Sequence, residues 1–119
     1  MAHAVRGHVA IVLHTHLPYV HHPEYEDFLE EDWLFEAMTE TYLPLLYVMR
    51  DLTRDGVPFR LAFSMTPPLV EMLSTPSLQK KFETYIVKRL ELARRELARQ
   101  PKDSLTSATA EHYVRRFAQ

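Results

Sequence analysis

The sequence predicts an α/β fold, a parallel βαβ unit followed by helices, and three observations predict it. Residues 9–13 form a continuous apolar, β-branched run, the pattern of a strand buried on both faces of a parallel sheet. Residues 59–65 alternate, with Phe59, Leu61, Phe63 and Met65 on one side and Arg60, Ala62 and Ser64 on the other. Between the two lies a stretch of helical period, and a helix is the usual crossover between parallel strands.

The first strand runs into His14-Thr15-His16-Leu17-Pro18, and Pro18 ends it. Side chains two apart on a strand point to the same side, so His14 and His16 leave the carboxyl end together, where α/β folds build their sites. Residues 18–32 have no helical period and crowd Tyr19, Tyr25 and Phe28 beside Glu24, Glu26, Asp27, Glu30 and Glu31. A connection of that length after a strand is the kind that carries function. A helix is expected from near Asp32, whose carboxylate can accept the free amide protons of the first turn. Leu34, Ala37, Thr41, Leu45, Val48 and Leu52 then recur at three- and four-residue steps and make one buried face. Pro44 removes a donor and crowds the Glu40 carbonyl, which predicts a kink. Asp55-Gly56 predicts the stop.

After the second strand, Thr66-Pro67-Pro68 opens a short helix through Leu73, because proline in a first turn gives up only an unpaired donor. Thr75-Pro76 repeats the device for a long amphipathic helix carrying Leu78, Phe82, Ile86, Leu90, Ala93 and Leu97, with Glu91 and Arg95 spaced as an i, i+4 pair. It ends near Gln100-Pro101. A last helix, from about Ser104, sets Ala110, Tyr113, Val114 and Phe117 on one side.

Composition narrows the function. The 119 residues are 46% hydrophobic and 25% charged, which fits one small domain or a piece of a larger one. Fourteen basic and sixteen acidic residues, with no Lys/Arg stripe interleaved with aromatics, leave no electrostatic footprint for nucleic acid. The absence of cysteine excludes disulfides and thiolate metal sites and suits a reducing compartment. No signal-peptide pattern and no membrane-length apolar run is seen, so a cytoplasmic chain without a membrane partner is expected. Two strands alone would leave both sheet edges open, and no capping glycine or turn follows Phe117. The expectation is therefore that residues 1–119 are the N-terminal part of a longer protein and that exposed apolar faces make the isolated chain self-associate.

With the strand and its histidines placed, residues 14–20 (His-Thr-His-Leu-Pro-Tyr-Val) and 28–46, through Trp33, Phe35, Tyr42 and Pro44, closely resemble the N-terminus of glycoside hydrolase family 57, in its 1,4-α-glucan branching enzyme group. Residues 59–73 resemble that family's second strand and following helix. The resemblance implies an incomplete (β/α)7 barrel, of which residues 1–119 would be the first portion of the catalytic domain. It also implies retaining transfer of an α-1,4-glucan segment, as in amylose or glycogen, to form an α-1,6 branch, with no cofactor. His16 and the proline two positions on match the family's first region, usually His-Gln-Pro; Leu17 replaces the glutamine, as in branching-type members. His14 and His16 would then line the donor sugar subsite, and Trp33 would offer a wall for a pyranose. The family's catalytic glutamate and aspartate lie on later strands, so no catalytic residue is assigned here and the isolated chain is expected to be inactive.

Blander readings stand beside these. His14 and His16 read also as histidines satisfied by backbone at a strand end, with the His-x-His start of a metal-dependent barrel hydrolase as a rival that the extended match disfavours. A non-catalytic truncated module is a third alternative. Trp33 reads as a hydrophobic anchor or as a sugar platform. His21 and His22 face opposite ways on extended chain and read as solvated; the acids from Glu24 to Asp32 read as a wetted surface, with Glu31 and Asp32 as the negative end of a helix start. Tyr42, Tyr47, Phe82 and Tyr85 read as core. Lys80, Lys81, Lys88, Arg89, Arg94 and Arg95 read as a solvated face of the long helix.

Overall fold

A computed structural model describes residues 7–118. Its two strands, β1 (Val12–Thr15) and β2 (Ala62–Met65), are parallel, with Val12 opposite Ala62 and Thr15 opposite Met65. β1 lies later than the expected residues 9–13 because the ladder exists only where β2 arrives: the Ala62 N–H donates to the Ile11 carbonyl (3.2 Å) and the Thr66 N–H to that of Thr15 (3.3 Å). Burial on both faces is not met either, since Val9 is 91% and Val12 65% exposed. Among the described residues β1 pairs with β2 alone, and a strand with one neighbour and an open edge has little to bury against.

The connecting helix starts at α1 (Glu31–Ala37), one residue before the expected cap, and the Glu30 side chain at its N-cap makes no capping bond to the helix. Asp32 sits inside the first turn with Glu31, where negative charge is favoured. A π-helical segment (Met38–Tyr42) separates α1 from α2 (Leu43–Arg54), with the Leu43 N–H reaching back five residues to the Met38 carbonyl. The expected interruption of the helix is thus a wider turn just before Pro44, which has no N–H and whose ring crowds the Glu40 carbonyl. The stop at Gly56 is as expected. Its φ is +69°, its N–H donates to the Thr53 carbonyl, and the Val57 N–H donates to that of Leu52, a Schellman closure. A Cβ there would meet nothing within 4 Å, so the penalty of Gly56→Ala is purely conformational. The expected loss is about 1 kcal/mol, read as a lowered urea midpoint; an unchanged midpoint would show that the backbone relaxes out of the left-handed region.

α3 (Pro67–Ser74), α4 (Pro76–Arg99) and α5 (Leu105–Phe117) follow as the prolines and periodicity predict. Ser104 caps α5 by accepting from the Ser107 N–H at 3.0 Å. α5 folds back along α4, and Arg116 donates to the Thr39 carbonyl at 2.8 Å. The buried core is Val20, Leu34, Phe35, Leu69, Met72 and Leu78, with Tyr42, Phe82 and Tyr85 packed against it. It lies where the β1–α1 loop, α1, α3 and α4 meet. The face expected along Leu45, Val48 and Leu52 is not sealed: α2 has no buried residue and Val48 is 54% exposed.

The accessible surface is 9281 Å², against about 6,700 Å² for a compact monomer of this mass. The radius of gyration is 18.7 Å, against about 13.5 Å expected for this length. Apolar faces that the elements were built to bury therefore stand open. Among the described residues no helix is long and apolar enough to cross a membrane.

Candidate functional site

The extended backbone of β1 sets His14 and His16 on one side, as the i, i+2 spacing requires, and their rings lie nearly parallel, 6.3 Å apart with 12° between planes. Thr15 points the other way and its Oγ1 donates to the Ser64 carbonyl at 3.0 Å. Both imidazoles are exposed at the carboxyl end of the strand. Neither lines any of the three cavities found among the helices. Beside them Thr66, the N-cap of α3, has a buried Oγ1 without a partner among the described residues. Trp33 lies in the first turn of α1, 49% exposed, and its indole does not stack on the histidines. No three His, Cys, Asp or Glu side chains converge among the described residues, so a metal held by His14 and His16 would find no third protein ligand here.

Between the histidines and Trp33 runs the loop of residues 17–30, whose Glu24, Glu26 and Asp27 are exposed as the wetted-surface reading expects; for Glu31 that reading is corrected. Glu31 is 1% exposed. Its carboxylate accepts from the His22 N–H at 3.0 Å and lies 2.7 and 2.8 Å from Lys81 Nζ on α4. The same ammonium donates to the loop carbonyls of His22 (3.1 Å) and Tyr25 (2.8 Å). About two turns further along, Lys88 reaches Asp27 at 2.7 Å and Arg89 reaches Asp32 at 3.2 Å. A burial penalty that would disfavour a lone carboxylate is thus met by a charge partner and a backbone donor. The hydrogen bond to Asp27 holds the Lys88 ammonium above the ordinary lysine pKa. Asp32 therefore serves Arg89 and not the helix cap, and the expected Glu91–Arg95 pair is not formed among the ion pairs of the described residues.

His21 and His22 are half-buried, against the solvated reading. His22 lies between Glu30 (3.1 Å) and Glu24 (3.5 Å) and packs on Phe28 with ring centroids 3.9 Å apart. A backbone hydrogen bond, and after it His22, keeps the Glu24 carboxyl below the usual range. His21 shares hydrogen bonds with Ser77 (3.1 Å) and Tyr19 (3.5 Å). Tyr85 packs against the core and Phe35 as expected; burial raises its hydroxyl pKa, opposed by the Arg89 guanidinium 4.7 Å from its ring. A cavity of about 580 Å³ lies under the ion-pair row, lined by Asp27, Phe28, Phe35, Lys81 and Arg89 among others.

The sequence profile of Glycosyl hydrolase family 57 matches residues 10–118, a span that contains both histidines, the loop, Trp33 and Lys81. The chain belongs to this family. It is 40% identical over 93 residues to a 1,4-alpha-glucan branching enzyme of Thermococcus kodakarensis, covering 78% of this chain and 14% of that protein. A probable 1,4-alpha-glucan branching enzyme of Mycobacterium tuberculosis is 36% identical over 76 residues, 63% of this chain and 14% of the relative. The fold matches the crystal structure of the alpha-amylase AmyC of Thermotoga maritima, with TM-score 0.86 and 50% identity over 96% of this chain and 21% of that one. It also matches a GH57-type branching enzyme of Pyrococcus horikoshii, with TM-score 0.82 and 37% identity over 92% of this chain and 20% of that one. The chain thus spans about a seventh to a fifth of the length of these relatives.

The residues that sequence reasoning passed over are Glu31 and Lys81. A signal for both was present. Glu31 sits three and four residues before Leu34 and Phe35, and Lys81 falls three after Leu78 and four before Tyr85, so each charge lies on the apolar face of its helix. Two opposite charges on faces that must both be buried are candidates for each other.

Proposed function

We propose that this chain supplies the first strands and helices of a (β/α)7 catalytic barrel acting on α-1,4-glucan, in an enzyme that transfers a glucan segment with retention to make an α-1,6 branch. The observation that carries the reading is the parallel pair of exposed imidazoles at the carboxyl end of β1, the end where barrel enzymes bind substrate. In this reading His14 and His16 hydrogen-bond glucose hydroxyls of the donor, and Trp33 stacks on a pyranose ring. Branching-enzyme relatives and Leu17 in the first family region support transfer as the outcome. Retaining chemistry needs two carboxyl groups about 5–5.5 Å apart across the scissile bond, and neither β1 nor β2 carries an acid. The catalytic pair would come from other strands, and the isolated chain would bind but not react. Its open apolar faces support self-association, and the cysteine-free composition supports a reducing, cytoplasmic setting.

Hydrolysis is the second reading, favoured by the 50% identity to an alpha-amylase. The two share cleavage of an α-1,4 bond and differ in the acceptor, a sugar hydroxyl or water. One experiment addresses site and outcome together: residues 10–118 are grafted in place of the matching segment of the Thermococcus branching enzyme, and amylose products are scored for α-1,6 linkages and reducing ends. The graft is expected to branch, and His16→Ala within it to lose on the order of 100-fold in kcat/KM, as when a substrate contact that tightens in the transition state is removed. Full activity of the His14→Ala/His16→Ala graft would overturn the site. Reducing ends without branches would decide for hydrolysis. New α-1,6 linkages made by the isolated chain would contradict its assignment as a binding portion.

A further inference from the structure

Glu31 is buried, charged, and has no part in the sugar contacts above, so its position needs a reason. The geometry points to one: we propose that Lys81 is a positioning residue, a latch that closes the loop between the histidines and Trp33 and so sets Trp33 for the glucan. The proposal rests on the reading of Trp33 as a sugar platform, and its test separates the two.

The latch has an anatomy distinct from an ordinary ion pair. Lys81 Nζ touches both oxygens of Glu31 and the carbonyls of His22 and Tyr25, so a single ammonium ties the loop at two points to the start of the following helix. Glu31 completes the ring by accepting from the His22 N–H. Trp33 is two residues beyond Glu31, and its N–H is bonded to the Glu30 carbonyl at 3.2 Å. Any displacement of Glu31 therefore carries Trp33 with it. The neighbouring pairs Lys88–Asp27 and Arg89–Asp32 brace the same segment from the same helix, but they are far more exposed and screened by solvent. With a side-chain exposure of 19% for Lys81 and 1% for Glu31, the central pair is the one that water does not replace. α4 thus reads the loop conformation directly through backbone carbonyls, which no apolar side chain at position 81 can do.

That distinction supplies the test. Glu31→Leu/Lys81→Met replaces the pair with apolar residues of similar size, which keeps the packing but removes every bond from position 81 to the loop. In the 119-residue chain, where Trp33 is the sole tryptophan, acrylamide quenching of its fluorescence and chymotryptic cleavage after Tyr25 and Phe28 both read the loop. The double variant is expected to retain the far-UV circular dichroism of the parent while cleavage accelerates at least about tenfold, given that loop opening tracks local stability, and quenching rises with it. In the Thermococcus graft the same variant should raise KM for amylose with kcat little changed. A parental cleavage rate and quenching in the folded double variant would overturn the latch. Should the variant not fold, hydrogen exchange on the parent decides: the His22 amide must be protected like the amides of α4, and exchange at the rate of open loop would overturn it. A loosened loop with unchanged KM would overturn the positioning of Trp33 where Trp33→Ala in the same graft raises KM, and would overturn the reading of Trp33 as a sugar platform where Trp33→Ala leaves KM unchanged; the histidine site is tested separately by His16→Ala.

Discussion

Leu69→Ala is expected to destabilise the chain by about 2–5 kcal/mol, the range for truncating a fully buried leucine that leaves a cavity. Leu69 is 0% exposed and, with Met72, is one of only two buried residues of α3. α3 is eight residues long, too short to hold itself in helical form, so its order depends on those two anchors. Val70, its neighbour, is 47% exposed and serves as the control: Val70→Ala should change stability by no more than about 0.5 kcal/mol. The measurement is a urea titration of both variants. An effect of Leu69→Ala as small as that of Val70→Ala would mean that α3 does not dock on α1 and α4 in solution. The consequence reaches the site, because the N-cap of α3 is Thr66, whose N–H is bonded to the Thr15 carbonyl between the two histidines.

Elements set by local chemistry were legible in the sequence. Gly56, Pro67, Pro76 and Pro101 each punctuate a helix through a property of one residue, and the structure places the boundaries within a residue or two of them. The common side of His14 and His16 follows from strand geometry alone. Features decided by what packs against an element were less legible. The apolar run at residues 9–13 is written for a sheet with neighbours on both sides, and only residues 12–15 find a partner here. The acids from Glu24 to Asp32 look alike in sequence, yet Glu31 is buried and Asp27 lies at the surface, because only Glu31 shares a face with Leu34 and Phe35. The cations of α4 divide in the same manner: Lys81, Lys88 and Arg89 point at the loop. A pairing across some fifty residues is invisible to any local window, although the placement of a lone charge on an apolar face announces that a partner is needed.

The energetics of that pairing give the other large expectation. Lys81→Met should destabilise the chain by about 3–5 kcal/mol, because it leaves the carboxylate of Glu31 buried with a single backbone donor. Glu31→Leu should cost less, since Lys81 keeps two loop carbonyls as acceptors and, at 19% exposure, retains access to water. Combining them should recover most of the loss: apolar replacement of a buried ion pair is often neutral or stabilising. A double-mutant cycle by urea denaturation would then return a coupling of several kcal/mol, whereas the exposed Lys88–Asp27 pair should couple by about 0–1 kcal/mol and fade with added salt. The order of the three values decides what the pair is for. If the double variant is as stable as the parent, stability cannot be the reason for burying two charges, and the bonds that the apolar pair fails to replace, from Lys81 to the carbonyls of His22 and Tyr25, are what the chain keeps them for.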